Sequence, residues 1–424
     1  MSVKKITNKL NQRPLLKSAA MLVSAGIIAQ IITFLCTLAT ARLYDPSDFG
    51  VLSFFMSLAG LITIFAAGRY DLAIVVEKEE REIVHLVRLC RNLLLFFSLL
   101  ATLVCTAIYL FQDVFHIKTE YARWLPFLGL AIFSSGFSHV LYMYFTRHQQ
   151  FKILSASRII ESIALNGITV GLFFTGRWGL LLGYLAGQFA VVIYFLVLFH
   201  RRRSEKPIGK LRNTAMKYID FPRYNVLQGV LDIFQSQSVV LLGSIWFHPL
   251  IIGLYALANR LLQVPMGLVV RPISHLFFAQ ASELHRNNQP IYPLVKKTMR
   301  NAFLLSLPVF VVLAIGGPWI FSFLFGAKWE VSGQLARILC AWMLVDLVRA
   351  PIAQVPVILG KQRVMLKWTL VGFVISAASV ILGSYFFHDK LNEAFLIITG
   401  GQIIHCLLVL TICVKLAKAQ SHGR

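Results

Sequence analysis

The stretch SAAMLVSAGIIAQIITFLCTLATA, residues 18–41, runs 24 residues without an Asp, Glu, Lys or Arg. At about 1.5 Å of rise per residue, a helix of that length crosses the roughly 30 Å hydrocarbon layer of a bilayer. Lys4, Lys5, Lys9, Arg13 and Lys17 precede it, and Ala39-Thr40-Ala41 imitates a leader-cleavage site. The block is nonetheless longer than the roughly 7–15 apolar residues of a secretory leader. It reads as a first membrane helix that is retained.

Eleven more blocks of similar length follow, at 49–68, 92–111, 124–146, 159–176, 178–200, 226–247, 250–271, 302–325, 335–359, 367–388 and 394–414. The chain is 57% hydrophobic and 14% charged, against about 25% charged in soluble domains. That is too little polar surface for a soluble protein of 424 residues. The expected fold is all-α, a polytopic membrane protein of about twelve spans.

Charge sets the expected orientation. With the N-terminus inside, the inside segments hold 31 Lys and Arg and the outside segments six. Such asymmetry is the positive-inside signature, and it requires an even number of spans, with both termini cytoplasmic in a bacterial inner membrane. It also explains the net charge of +23 without nucleic acid, for which no binding motif is present. The acidic cluster Glu77-Lys78-Glu79-Glu80-Arg81-Glu82 reads as a solvated face, and Arg201-Arg202-Arg203 as a headgroup anchor. The six cysteines lack the paired spacing of a zinc site, and disulfides are not expected. No metal or cofactor is expected.

A short repeat divides the chain. Asp45-Pro46-Ser47-Asp48-Phe49-Gly50-Val51-Leu52 and His248-Pro249-Leu250-Ile251-Ile252-Gly253-Leu254-Tyr255 both read x-Pro-x-x-apolar-Gly, 203 residues apart. The offset maps the first span on the seventh and the second on the eighth. An even number of spans per half makes the halves parallel repeats, a known transporter plan. The expected organisation is a six-helix lobe over 1–200, a basic linker over 201–225 and a second six-helix lobe over 226–424.

Polar residues within spans are expensive and usually face a bundle interior or a watery cavity. The eighth span places Arg260, Gln263, Gly267 and Arg271 on one face, with Pro265 among them. Arg260 reads as cavity lining; Arg271, at the span's end, also reads as a snorkelling interface residue. The tenth span holds Asp346 and Arg349, spaced to pair within one helix. Asp232, Gln235 and Ser236 share a face of the seventh span, Glu161 lies near the inside end of the fifth, and His139, Gln402 and His405 add polar groups elsewhere. Carboxylates and imidazoles so placed can take up a proton or bind a cation, and each can equally make an interhelical hydrogen bond. No nucleotide-binding phosphate loop or H-E-x-x-H occurs, and no catalytic constellation stands out in the short outside loops.

Ala41-Arg42-Leu43-Tyr44-Asp45-Pro46-Ser47-Asp48-Phe49-Gly50, continuing through Gly68-Arg69-Tyr70-Asp71-Leu72-Ala73-Ile74, resembles the N-terminal signature of the Wzx-type oligosaccharide flippases. These belong to the multidrug/oligosaccharidyl-lipid/polysaccharide exporter superfamily. Gly253 to Leu262, Phe277 to Glu283, Leu324 to Trp329 and Leu359 to Arg363 continue the resemblance in matching order. It implies a MATE-like architecture of two lobes around a central cavity, alternating access, and no enzymatic activity. It also implies a cargo of undecaprenyl-diphosphate-linked oligosaccharide, moved for surface polysaccharide synthesis such as that of O-antigen, with membrane lipids and polysaccharide polymerase machinery as partners. On that reading Arg260, Arg349, Gln263 and Arg271 are candidate cargo contacts. Asp232, Glu161 and Asp346 are candidate groups for coupling to a proton or sodium ion. Competing readings are a drug or cation antiporter of the same superfamily, a flippase for the cell-wall precursor lipid II, and a membrane glycan polymerase or ligase. The basic lean of the intramembrane charges disfavours the antiporter, and the short outside loops disfavour the polymerase or ligase.

Overall fold

The computed structural model describes residues 3–112, 119–202 and 211–422. Among these residues the secondary structure is helical, and eleven helical segments are long and apolar enough to cross a membrane. Each coincides with an expected span, including the polar one at 226–247, which lies within a continuous helix, Asp220–Trp246. The protein is a multi-pass membrane protein.

The chain forms two compact units. The first comprises Met1–Tyr44 and Phe55–Val230. It contains α1 (Val3–Leu43), most of α2 (Pro46–Ala67), α3 (Asp71–Val76), α4 (Glu80–Leu110), α5 (Thr119–Ala122), α6 (Leu128–Arg147), α7 (Phe151–Gly171), α8 (Arg177–Arg202), α9 (Leu211–Lys217) and the first part of α10 (Asp220–Trp246). Tyr44 fixes α1 to α7 by donating to the Thr169 carbonyl at 2.6 Å. Gly179 of α8 lies against the same hydroxyl, which a Cβ there would overlap. Phe55, Trp124 and Tyr184 form an edge-on aromatic cluster inside the unit. Conversely, Leu95, Phe96, Leu99, Leu103 and Val104 of α4 stand exposed, as expected of a helix whose solvent is lipid.

The second unit comprises Asp45–Phe54 and Leu231–Arg424. It contains the start of α2, the rest of α10, and α11 (Pro249–Pro265), α12 (Arg271–Arg286), α13 (Tyr292–Phe325), α14 (Glu330–Ile352), α15 (Val355–Ile358), α16 (Gln362–Phe386) and α17 (Leu391–His422). The repeat seen in the sequence has a physical basis here, because each copy starts a helix. Asp45 precedes α2, whose Asp48 carboxylate accepts from the Asp45 N–H at 3.4 Å, one arm of a capping box. His248 precedes α11, and its Nδ1 accepts from the Leu250 N–H at 3.3 Å. In both copies proline takes the first helical position, where its missing N–H costs nothing.

The two glycines of the repeat then meet. A Cβ on Gly50 would overlap the Pro249 carbonyl, and one on Gly253 would overlap the Pro46 carbonyl. The contact is reciprocal at the repeat's own 203-residue offset, as a two-fold relation between the segments requires. Phe49 edge-on to buried Trp329, with ring centroids 5.2 Å apart, and Lys328 paired with Asp45 at 3.6 Å hold the same segment.

Two expectations change. The eighth span, read as 250–271, is a 17-residue helix that ends at Pro265. A π-helical turn, Met266–Val270, follows, and Arg271 opens a new helix. Proline lacks an N–H and crowds the carbonyl four residues back, so the regular ladder cannot continue through it. The acidic cluster after α3 is also not merely solvated. Glu77 pairs with Lys217 at 3.3 Å, Glu80 with His148 at 3.1 Å, and Glu82 accepts from the Thr214 hydroxyl at 3.3 Å. Part of the basic linker, including Arg203, lies outside the described residues.

Candidate functional site

Helix α11 of the second unit carries the candidate cationic stripe. Leu257, Ala258 and Leu262 are buried, whereas Arg260 and Gln263 are exposed, with Gly267 exposed in the turn beyond. Gln263 donates to the Asn259 side-chain oxygen at 3.4 Å. No hydrogen bond or ion pair reaches the Arg260 guanidinium among the described residues. The stripe thus has one side in the unit's core and a polar side that remains accessible. Arg271 stands beyond the π-turn, where helical counting from Arg260 no longer holds, and its side chain lies outside the described residues.

Arg349, the second candidate cation, is in the opposite situation. It bonds Asp346 within α14, its Nε standing 2.8 Å from Oδ1 and its Nη2 closing on the same oxygen. Cys406 of α17 approaches that oxygen at 3.6 Å. At the residue before Cys406, Gln235 of α10 donates to His405 Nδ1 at 2.8 Å. Gly372 of α16 makes room for the His405 ring, which a Cβ there would overlap. Gln402 is spent on Ser376 at 2.9 Å. The Asp346–Arg349 pair and these amides and rings tie α10, α14, α16 and α17 together. Asp232 lies on the exposed side of α10.

In the first unit, Glu161 accepts from the Gln188 amide at 2.8 Å, and Ser138 donates to the Gln188 oxygen at 3.4 Å. Arg158, one turn before Glu161, reaches the Tyr142 hydroxyl at 3.3 Å. These bonds link α6, α7 and α8.

Sequence reasoning passed over a third cluster, at the end of α2. Gly68 and Arg69 both take left-handed backbone, with φ of 57° each. The next two residues are anchored. Tyr70 donates to the Ala215 carbonyl at 3.2 Å, and Asp71, only 2% exposed, faces His139 Nδ1 at 3.3 Å. Nearby, Glu77 accepts from the backbone N–H groups of Lys78 and Glu79 at 2.6 and 2.9 Å and pairs with Lys217. Burial alone would raise the Glu77 carboxyl, but these bonds outweigh it and hold its pKa below the ordinary value. The signal in the sequence was the Gly-Arg pair itself, a glycine followed by a charged residue at the close of a span.

Comparison with known proteins places the fold. Residues 39–334, well over half of the chain, match the family described as polysaccharide biosynthesis protein. No curated protein matches significantly. Among solved structures, an inward-facing multidrug resistance MATE family transporter of the MOP superfamily superposes with a TM-score of 0.71 at 13% identity. That match covers 92% of this chain and 95% of the other. The lipid II flippase MurJ in an inward closed conformation also gives 0.71 at 13% identity, over 95% and 91%. An outward-facing MATE transporter gives 0.58 at 12%, over 96% of each. The expected all-α, MATE-like architecture is the one these likenesses show, and the chain belongs to the polysaccharide biosynthesis protein family.

Proposed function

We propose that this chain is a flippase that moves an undecaprenyl-diphosphate-linked oligosaccharide from the inner to the outer leaflet of a bacterial inner membrane by alternating access. The cargo joins an anionic diphosphate to a polar glycan, and neither part crosses hydrocarbon unaided. A charged side chain at bilayer depth costs about 2.5–3.5 kcal/mol, so an arginine kept there without a partner calls for an anionic one. Arg260 is that residue: a guanidinium on the exposed polar side of a helix, with no bond to a neighbour among the described residues. This observation carries the reading, and membership of a polysaccharide biosynthesis family supports it.

Arg349 holds Asp346 and serves the second unit's packing first, with cargo contact secondary. Gln263 lies exposed on the same helix, and Arg271 is retained from the sequence as a further candidate cargo contact. For ion coupling, Glu161, whose partner is a neutral amide, is better suited to take up a proton than Asp346, which already holds a cation; Asp232 is the third candidate. The protein acts as a transporter, without enzymatic chemistry of its own, and hands its cargo to polymerase machinery. The halves of the sequence correspond to lobes over 1–200 and 226–424 joined by the basic linker, and both termini face the cytoplasm. The Arg260→Ala variant tests the reading. At equal membrane expression, surface polysaccharide should fall by an order of magnitude or more, and unchanged export would contradict it.

A further inference from the structure

From the turn after α2 we infer that Arg69 is a phosphate-binding residue that receives an anionic lipid headgroup at the inner-leaflet end of the first unit. The inference rests on the flippase reading for its biological cargo and on geometry for its location. A non-glycine residue seldom adopts positive φ, and its cost is accepted where surrounding structure imposes it. Arg69 does so at φ 57°, directly after Gly68 at the same angle. Its guanidinium lies against α10 at Gly229, where a Cβ would stand 2.5 Å from Nη2 and 2.8 Å from Nε. A side chain at 229 would force the guanidinium to shift. Nε is buried, and among the described residues the side chain has no hydrogen-bond or ion-pair partner.

Other basic side chains of the first unit are already engaged. Lys217 pairs with Glu77, Arg147 donates to the Glu77 carbonyl at 3.0 Å, and Arg158 bonds Tyr142. Asp71, two residues on, faces His139. The turn is fastened on both sides, through Tyr70 to α9 and through Asp71 to α6. Arg69 therefore presents a preorganised, unpaired planar donor set, the geometry that takes two oxygens of a phosphate at once. Strain, a glycine seat and an unpaired guanidinium converge on one side chain, whose terminal nitrogens are left to meet a phosphate.

The test uses the purified full-length protein in detergent, with farnesyl diphosphate, phosphatidylglycerol and inorganic diphosphate as probes. Glycine accepts positive φ without cost, so Arg69→Gly should unfold at a higher temperature than the wild type. It should nonetheless bind farnesyl diphosphate about tenfold more weakly, the usual loss for a charge-assisted bond. Arg69→Lys should fall between, Gly229→Ala should weaken binding with the charge still present, and Arg212→Ala, which removes an exposed charge from α9, should change nothing. Preference for farnesyl diphosphate over phosphatidylglycerol identifies the headgroup as the cargo's; equal Arg69-dependent binding of both supports the phosphate site and assigns it to bulk lipid. Undiminished farnesyl diphosphate binding by Arg69→Gly would overturn the inference and leave the flippase reading intact. A wild-type protein that binds no prenyl diphosphate would overturn both.

Discussion

Arg260 and Arg349 are the same residue type on neighbouring helices, yet their surroundings give them different duties. Arg349 is 23% exposed and spends its donors on Asp346, itself 16% exposed. Replacing Arg349 by Ala leaves that carboxylate unpaired, and we expect a loss of about 3 kcal/mol in stability, read as a fall in melting temperature in detergent. Replacing Arg260 removes a side chain that bonds nothing among the described residues, so its melting temperature should hold while export falls. Glu77 gives a pH prediction. Its folded pKa is depressed, so its tie to Lys217 and α9 is at full strength above the unfolded value of 4.5 and is lost as pH falls through the lower folded value. Hydrogen exchange over residues 211–217 should quicken on acidification below about pH 4.5 in the wild type, and Glu77→Gln should flatten that dependence. At this scale the sequence was partly legible. The Asp346–Arg349 pair could be read because its spacing lies within one helix. Asp71 with His139, Glu161 with Gln188 and Arg69 with Gly229 could not, since each joins elements whose neighbours only the fold decides.

At the scale of elements, the membrane spans were legible because apolar length is a one-dimensional property and the helix ends are marked by charge. The eighth segment escaped the count for a local reason. Pro265 stops α11 after 17 residues, whereas a hydropathy reading runs on to Arg271. The repeated Pro-x-x-apolar-Gly segment was visible as a pattern, but its purpose was not, since only the fold brings Gly50 onto Pro249 and Gly253 onto Pro46. Overfilling so close a crossing costs about 1–3 kcal/mol. Gly50→Ala and Gly253→Ala should each lower the melting temperature and impair export. Because both disturb one crossing, the double variant should lose less than the sum of the two, as a double-mutant cycle would show.

For the whole molecule, family and fold point in the same direction. A polysaccharide biosynthesis family match over residues 39–334 coincides with a fold shared by MATE transporters and MurJ. The charge asymmetry of the loops, the unpaired Arg260 and the unpaired Arg69 then make one chemical argument. On the proposed reading, each unit offers an anionic cargo one guanidinium, Arg69 after α2 and Arg260 on α11, while Arg349 and Glu161 are engaged within their own units. The most direct measurement is deletion of the gene, followed by assay of surface polysaccharide and of the leaflet that holds the lipid-linked repeat unit. Loss of surface polysaccharide with repeat units accumulated on the cytoplasmic leaflet is the predicted result. Repeat units still reaching the outer leaflet at the wild-type rate would contradict the account.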